Sequence, residues 1–387
     1  MIEITTTDAL VAFCAEAGDE PYVTLDTEFL RERTYYAQLC LIQMALPGEG
    51  DSRAALIDAQ ATDLSLEPLF ELMRDTSVVK VFHAARQDLE ILWNKGRVIP
   101  DPLFDTQVAA MVCGFGEQVG YEALVRKLVH ASLDKSSRFT DWSQRPLSEK
   151  QKAYALADVT HLRAVYEALA DQLAQSGRSA WVTQEIGILT SPSTYEVLPS
   201  EAWRRIKTRN TSPRFLAIVQ RLAEWREAEA QRRDIPRNRL MKDDVLLEVA
   251  ANKPQSIEAL NKQRLLLREA RKGAMAEGIL AAVTSGIDAP KEALPSIPRA
   301  AQSAPVSPAL LDLLRVLLKA RAEGEGVAQK LVATSSELEA FASDPSGAHP
   351  VNEGWRRDVF GADAAALIAG RIALSVYKGR IRIFDAG

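Results

Sequence analysis

Four acidic residues and one tyrosine are the side chains of this chain most suited to chemistry. Asp26 and Glu28 are separated by one residue, Asp88 and Asp158 follow further along, and Tyr154 lies one helical turn before Asp158. Carboxylates gathered in one pocket repel each other, and divalent cations offset that repulsion. Two such cations are the usual apparatus for hydrolysing phosphodiesters. The pattern therefore predicts a metal-dependent nuclease.

The first acidic pair is predicted to lie at the end of a β-strand. Asp26 and Glu28 close the apolar, β-branched run 22–29. Side chains two apart on a strand share a face, so both carboxylates can point at one metal ion. The runs 37–44 and 54–58 have the composition of further strands, whose edges would frame the site.

The remaining acids are predicted to lie on helices. Asp88 follows the strand-like run 78–82 and falls in the first turn of a predicted helix. A strand that runs into a helix places such residues at the carboxyl end of the sheet, where α/β proteins usually have their sites. Tyr154 and Asp158 are four residues apart in the helical pattern 149–162, so they face the same way.

Three short motifs carry a resemblance to a known family: Asp26-x-Glu28, His83-x-x-x-x-Asp88 and Tyr154-x-x-x-Asp158. In this order they resemble the three exonuclease motifs of the DEDD superfamily, tyrosine subclass. The segment 34–43 and the downstream organisation more closely resemble the ribonuclease D family. The resemblance covers nearly the whole chain.

The resemblance implies a fold of class α/β followed by helical domains. A ribonuclease H-like 3′-5′ exonuclease domain with a mixed sheet is expected over residues 1–190. Two all-α domains of the HRDC type are then expected, and the segment 190–200 has the composition of a linker before the first. The expected boundaries are 204–286 for the first HRDC domain, 307–387 for the second, and 287–306 for the Pro-rich linker between them.

The resemblance also implies a mechanism and a substrate. Two divalent ions, magnesium or manganese, are expected about 4 Å apart. Asp26 would bridge them, Glu28 and Asp158 would complete the first ion's shell, Asp88 would hold the second partly through water, and Tyr154 would orient the attacking water. The implied activity is 3′-to-5′ exoribonuclease trimming of the 3′ trailer of tRNA precursors and other structured RNAs, which releases nucleoside 5′-monophosphates.

Two other functions remain open on the residues alone. A DNA 3′-to-5′ exonuclease of the same superfamily uses the same carboxylates and tyrosine, and ribose preference depends on 2′-hydroxyl contacts that cannot be placed from sequence. A non-catalytic adaptor that grips RNA ends is the alternative from another class. Within the exonuclease region, Asp105 is predicted to cap a helix and His83 to have a structural role near the site.

Positive charge is concentrated in one segment of an acidic chain. The net charge is −5, yet residues 204–272 contain 18 lysines and arginines against 9 acids, a net of +9, which leaves −14 for the rest. A helical RNA-binding module is predicted there, with salt-sensitive affinity. The candidate RNA contacts are Arg204, Arg205, Lys207, Arg232 and Arg233.

The carboxyl-terminal region contains a divergent repeat of the sequence pattern of that module. The pattern that begins at Pro213 returns at Pro308 with an offset of 95 residues, and it pairs Leu216, Leu222 and Arg226 with Leu311, Leu317 and Arg321. A second copy is predicted, used for packing or shape recognition. A weaker candidate for RNA contact is Trp355-Arg356-Arg357.

Composition bounds the remaining expectations. A chain of 387 residues with 47% hydrophobic content has material for two or three domains. Three cysteines without CxxC spacing favour a reducing cytosol over a disulfide framework. The amino terminus has no basic segment leading into an apolar one, and no apolar run approaches membrane-spanning length. A soluble, cytoplasmic monomer without a membrane partner is expected.

Overall fold

The computed structural model describes residues 1–134, 137, 140–295 and 306–386. Its elements fall into three consecutive regions. Those of the amino-terminal region are β1 (Ile2–Ile4), α1 (Thr7–Gly18), β2 (Tyr22–Leu30), β3 (Gln38–Ala45), β4 (Ala54–Ile57), α2 (Glu67–Arg74), β5 (Val79–Phe82), α3 (Arg86–Gly96), β6 (Leu103–Asp105), α4 (Thr106–Val112), α5 (Tyr121–Leu124), α6 (Glu149–Ser176) and α7 (Ser179–Ile186). Those of the middle region are α8 (Pro213–Arg233), α9 (Arg237–Leu240), α10 (Asp243–Asn252), α11 (Ile257–Asn261) and α12 (Gly273–Ile287). Those of the last region are α13 (Pro308–Glu325), α14 (Gln329–Val332), α15 (Ser335–Ser343), α16 (Gly354–Arg356), α17 (Ala362–Ile368), β7 (Ile372–Tyr377) and β8 (Arg380–Asp385).

The amino-terminal region is built on a mixed sheet with the strand order β1-β4-β3-β2-β5-β6. The pairs β2–β3 and β3–β4 are antiparallel, while β1–β4, β2–β5 and β5–β6 are parallel. The apolar start of β2 is buried in the middle of this sheet, and the strand leaves the core as it reaches Asp26 and Glu28. The predicted α/β exonuclease fold with a mixed sheet is confirmed.

The long helix α6 is capped at both ends and packs across the middle of the sheet. Ser148 and Gln151 form a capping box at its start, and Gly177 ends it with φ of +69°. In between, the buried Thr24 hydroxyl of β2 donates to the Val159 carbonyl at 2.8 Å. That bond places the helical residues beside Val159 over the end of β2.

The middle region is a helical bundle with its own core, in which α8 packs against α12 and α10. The close approach of α12 requires Gly286, because a Cβ there would lie 2.5 Å from the Ile218 Cα. Arg226 is buried in this core and donates to the Met241 carbonyl and to Asp243, both at 2.8 Å.

The last region repeats the order of helices in the middle region. Each has a long helix (α8 or α13), then a helix of four residues (α9 or α14), then one of ten or nine residues (α10 or α15), and finally a further helical segment. The corresponding arginines have partners on different helices, since Arg226 pairs with Asp243 at the start of α10 and Arg321 pairs with Asp363 of α17. The region nevertheless ends in the antiparallel hairpin β7–β8, which the expectation of an all-α domain at 307–387 did not include. Residues 296–305 of the predicted linker 287–306, and the terminal residue 387, lie outside the described residues.

The last region packs directly on the amino-terminal region. Trp355 stacks on Trp181 with ring centroids 4.6 Å apart, and its indole nitrogen donates to Glu185 at 3.0 Å. Arg356 pairs with the same carboxylate and donates to the Leu331 carbonyl at 2.8 Å. The hypothesis that Trp355 and Arg356 contact RNA is therefore wrong, because both side chains bind Glu185 and form the contact between two regions. Only the neighbouring Arg357 is exposed.

Among the described residues, no helix combines the length and apolar character needed to cross a bilayer.

Candidate active site

Three of the four predicted acids meet at the end of β2. Carboxylate oxygens of Asp26, Glu28 and Asp158 lie within 4.8 Å of one another, and all three side chains are partly exposed. The strand provides the first two on one face, and α6 brings the third across the sheet. The local periodicities and the packing of α6 on β2 are together sufficient to assemble this cluster.

Asp88 lies beside this cluster in the first turn of α3, and it is buried. Its carboxylate accepts a hydrogen bond from the Thr27 hydroxyl, on the strand residue between Asp26 and Glu28. Burial raises the pKa of Asp88 to about 7, even though the Thr27 hydrogen bond opposes the shift. The side chain is thus close enough to interact with the cluster but stands outside its set of mutually close oxygens.

The charges of the site act strongly on each other. Burial, followed by the charges of Asp88, Asp158 and Glu28, raises the pKa of Asp26 well above its ordinary range. A pocket of this kind favours protons or cations, and its oxygen ligands suit hard divalent ions such as magnesium and manganese. The residues present therefore fit a divalent cation, with Asp26, Glu28 and Asp158 as its nearest ligands.

Tyr154 is placed next to these acids, as its spacing predicts. Its half-buried phenol bonds to Asp158, and its ring packs near Trp142 with a centroid separation of 6.0 Å. Burial, and then the charge of Asp158, raises the pKa of this phenol. Tyr154 therefore keeps its proton near neutral pH and can act as an oriented hydrogen-bonding group.

A cavity of about 460 Å³ opens beside the cluster, lined by Asp26, Asp158 and Tyr154 among others. Tyr121 and His83 complete its polar wall; the Tyr121 hydroxyl donates to the Ala157 carbonyl at 3.0 Å. Sequence reasoning missed Tyr121, since it belongs to none of the three motifs and only the folded chain brings it here. His83 was expected to be structural, and it also contacts Thr106 at 2.9 Å.

Asp105 caps α4 and is not part of the acidic cluster. Its carboxylate accepts from the backbone N–H groups of Gln107 at 2.8 Å and Val108 at 3.4 Å. It also accepts from Ala84 and Ala85, which holds the turn before Asp88 in place, with Ala84 at φ of +59°. The prediction of a capping role is confirmed, and the cap helps to position α3.

The five candidate RNA contacts of the middle region are all exposed. Two of them bind acids on the same element: Arg204 pairs with Glu201, and Arg232 pairs with Glu229 at 2.7 Å. Arg233 also approaches Glu229, at 3.7 Å. Of the five, Arg205 alone lines a cavity next to the exonuclease domain, while the other four lie elsewhere on the surface.

The chain is similar in sequence to known exonuclease and HRDC families and to named relatives. Residues 1–174 match the 3′-5′ exonuclease family, and residues 215–283 match the HRDC domain family. The chain is 56% identical over 382 residues to ribonuclease D of Jannaschia sp., covering 99% of both chains. It is 48% identical to ribonuclease D of Granulibacter bethesdensis, covering 99% of this chain and 96% of that one.

A solved structure shows the same architecture. The crystal structure of Escherichia coli RNase D, described as an exoribonuclease involved in structured RNA processing, superposes with a TM-score of 0.83 at 31% identity. The match covers 95% of this chain and 98% of that one. The likeness therefore includes the catalytic region and the helical regions that follow it.

Proposed function

The chain belongs to the ribonuclease D family of metal-dependent 3′-to-5′ exoribonucleases, and from this we propose that it trims the 3′ trailer of tRNA precursors and other structured RNAs. We further propose two-metal-ion hydrolysis with release of nucleoside 5′-monophosphates. The observation that carries the proposal is the cluster of Asp26, Glu28 and Asp158 oxygens within 4.8 Å, beside a cavity that Asp26 and Asp158 line. RNA is the substrate class of the family.

The side chains divide the work of the reaction. Asp26, Glu28 and Asp158 would hold the first divalent ion, and Asp26 with Asp88 would hold the second. Magnesium or manganese bound there would supply an activated water and stabilise the charge on the leaving oxygen. Tyr154, anchored on Asp158, orients the attacking water for approach to the terminal phosphodiester.

The cavity beside the acids has a size suited to the terminal nucleotide. Tyr121 and His83 have rings 5.5 Å apart in its wall, and such rings offer apolar surface to a base. We infer that the terminal nucleotide of an RNA enters this cavity, which places its phosphodiester beside the acids.

The test is digestion of a 3′-extended tRNA transcript labelled at its 5′ end. Wild-type protein with magnesium should give a ladder that shortens from the 3′ end, while chelator or Asp158→Asn should abolish it. Asp58→Asn is the matched control, because Asp58 pairs with Arg145 at 2.7 Å outside the site and its loss should leave the ladder intact. Chelator-insensitive shortening would refute the metal-dependent mechanism.

Two further measurements test the alternative functions, a DNA exonuclease and a non-catalytic RNA-end-binding adaptor. A DNA of the same sequence competes directly with the RNA, and faster digestion of the DNA would favour a DNA exonuclease. Retained RNA-end binding without any shortening would favour a non-catalytic adaptor. Thin-layer analysis of the products should show nucleoside 5′-monophosphates.

The helical regions are proposed to hold the folded body of the RNA. The basic residues Arg204, Arg205, Lys207, Arg232 and Arg233 remain predicted RNA contacts, and the region 307–387 remains a predicted second copy of the HRDC module. A monomer in the cytoplasm is likewise proposed, to be tested by light scattering and cell fractionation.

A further inference from the structure

A second cavity, of about 580 Å³, lies between the exonuclease domain and the middle region. Its walls come from the loop after β2, from α3, from the segment 194–199, and from α8 and α9. Two acids, Glu90 and Glu196, lie among the lining residues, against five arginines that give a net charge of +3. The arginines are Arg31, Arg86, Arg97, Arg205 and Arg237.

The positive charge of this cavity is only partly neutralised. Arg31 pairs with Glu90, and Arg237 lies 3.5 Å from the fully buried Glu227. In the part of the chain that the structure describes, the other three arginines have no carboxylate within 4.0 Å: Arg86, Arg97 and Arg205. Guanidinium groups that converge on one concave surface without acidic partners favour an anionic ligand.

Arg97 and Tyr36 both line the cavity and lie close enough to interact, since burial raises the pKa of the Tyr36 phenol and the Arg97 charge opposes that shift. Arg97 ends α3 in the left-handed conformation at φ of +48°, a position that glycine fills with less strain. Its guanidinium lies over the Trp93 ring, 5.4 Å from the ring centroid. Tyr36, half-buried, lines the same wall. Arginine beside an accessible aromatic ring is the composition that single-stranded nucleic acids bind.

Both walls of the cavity are fixed by contacts between the domains. The Asp234 carboxylate accepts the backbone N–H groups of Tyr35 at 3.0 Å and Tyr36 at 2.9 Å. The Tyr35 hydroxyl donates to the buried Glu227, and Gln231 donates to the Val197 carbonyl at 2.8 Å. The arginines of the two domains therefore line one cavity, and these contacts hold its walls together.

The cavity lies next to the acidic cluster along the chain and in space. Arg31 follows Glu28 by three residues, and Arg86 precedes Asp88 by two. Tyr195 in the cavity wall has a pKa raised to about 12 by burial, with Arg86 opposing the shift and Asp88 contributing to it, so the wall is within electrostatic reach of the site. A strand with its 3′ end at the carboxylates can therefore continue into this gap.

We propose that this interdomain cavity binds the sugar-phosphate backbone of the RNA strand upstream of its 3′-terminal nucleotides. The inference rests on the proposed exoribonuclease function and adds the path of the substrate. It assigns a binding role to Arg86 and Arg97 of the exonuclease domain, which the sequence did not single out. Backbone phosphates are read without regard to sequence, as processing of many RNAs requires.

The experiment measures RNA binding with cleavage disabled. Fluorescence anisotropy is recorded with the Asp158→Asn protein and magnesium for two unstructured 5′-labelled RNAs, of about 4 and about 16 nucleotides. The longer RNA is meant to reach from the terminal pocket into the cavity, and the short one to occupy mainly the terminal pocket. Substituting one arginine from each wall, Arg97→Asn and Arg205→Gln, should weaken binding of the longer RNA about twenty-five-fold at low salt, taking about fivefold for each contact. The salt slope should fall by about 1.4, or about 0.7 per phosphate contact, and the short RNA should bind as before.

Two further variants serve as controls. Asparagine is chosen at position 97 because it tolerates the left-handed backbone. The charge-conserving variant Arg97→Lys with Arg205→Lys should restore most of the salt slope. Arg53→Gln with Arg74→Gln removes the same charge from the surface of the exonuclease domain outside the cavity, and should change the affinity less than about twofold. Unchanged affinity and salt slope in the Arg97 and Arg205 variant would overturn the proposal.

Competition with a nucleoside 5′-monophosphate and with inorganic phosphate separates a strand from a small anion. If the double variant weakens these competitors but not the longer RNA, the cavity holds a mononucleotide or phosphate and the proposal is wrong. Failure of the proposed function looks different. In that case the wild type with magnesium would shorten neither RNA, although the cavity arginines would still determine the length-dependent binding.

Discussion

Replacing Asp88 by asparagine should stabilise the metal-free protein, and the gain should depend on pH. Asp88 is buried, and burial raises its pKa from an ordinary 3.8 to about 7, with a smaller contribution from the charge of Asp105. The unfolded carboxyl ionises near the lower value, so between the two values the folded state binds more protons. Stability is therefore lost as pH rises through this window, and the loss is complete above pH 7.

The size of the effect follows from the shift. Three pKa units correspond to about 4 kcal/mol, because each unit is worth about 1.4 kcal/mol. Asparagine cannot ionise, and its side-chain oxygen can still accept the Thr27 hydroxyl. We expect Asp88→Asn to gain about 3 kcal/mol on the wild type between pH 5 and pH 8 in chelator.

Urea denaturation of both proteins across this pH range measures the gain. Asp58→Asn is the matched control, because although burial acts the other way, the Arg145 hydrogen bond holds the pKa of Asp58 below its ordinary value. That variant should lose stability at neutral pH and recover it towards acid. With magnesium the advantage of Asp88→Asn should shrink, since cations stabilise the ionised wild-type site.

A difference in stability between Asp88→Asn and wild type that stays flat from pH 5 to pH 8 would contradict a raised pKa at Asp88. A destabilised variant in chelator at pH 8 would have the same meaning. Either result would show that burial does not raise the pKa of Asp88 in the metal-free protein.

Three other substitutions test particular contacts. Tyr154→Phe should lower kcat roughly a hundredfold with RNA affinity and the calorimetric magnesium isotherm unchanged, because it removes only the orienting hydroxyl. Asp234→Ala should speed hydrogen exchange of the two backbone amides that this carboxylate binds in the exonuclease domain, whereas Asp234→Asn, which keeps an acceptor, should protect them. Trp355→Ala should cost about 3–5 kcal/mol in urea unfolding by removing the stack on Trp181, while RNA affinity of the folded variant stays within about twofold, since the indole is an interdomain contact.

Much of the exonuclease fold and of the acidic site could be predicted because the signals are local. Alternation on β2 puts Asp26 and Glu28 on one face, and the four-residue spacing on α6 puts Tyr154 and Asp158 on one face. Asp105 was recognised as a cap for the same reason, since capping involves only the next few residues. The family resemblance then implied that these pieces meet.

Predictions from charge alone were less successful. The run Trp355-Arg356-Arg357 has the composition of an RNA contact, yet Glu185, far away in sequence, takes the first two side chains into a domain interface. The segment 190–200 remains a predicted linker between domains, and the contact that Tyr195 within it makes with the main core could not be predicted from its composition. The partners that decide these cases are distant along the chain and leave no mark on the local pattern.

The sequence by itself determined the strand and helix that carry the acids, the caps, and the concentration of basic charge in one segment. Tertiary structure alone decided that Asp88 turns to Thr27 and that Tyr121 enters the cavity beside the carboxylates. The final hairpin has a local signal, alternating residues around Lys378-Gly379, which the expectation of an all-α domain overlooked. Tertiary structure also gathered arginines from positions 31 to 237 around one gap between domains. The physical reason is that periodicity and capping act over a few residues, whereas a binding surface between domains depends on how whole units dock.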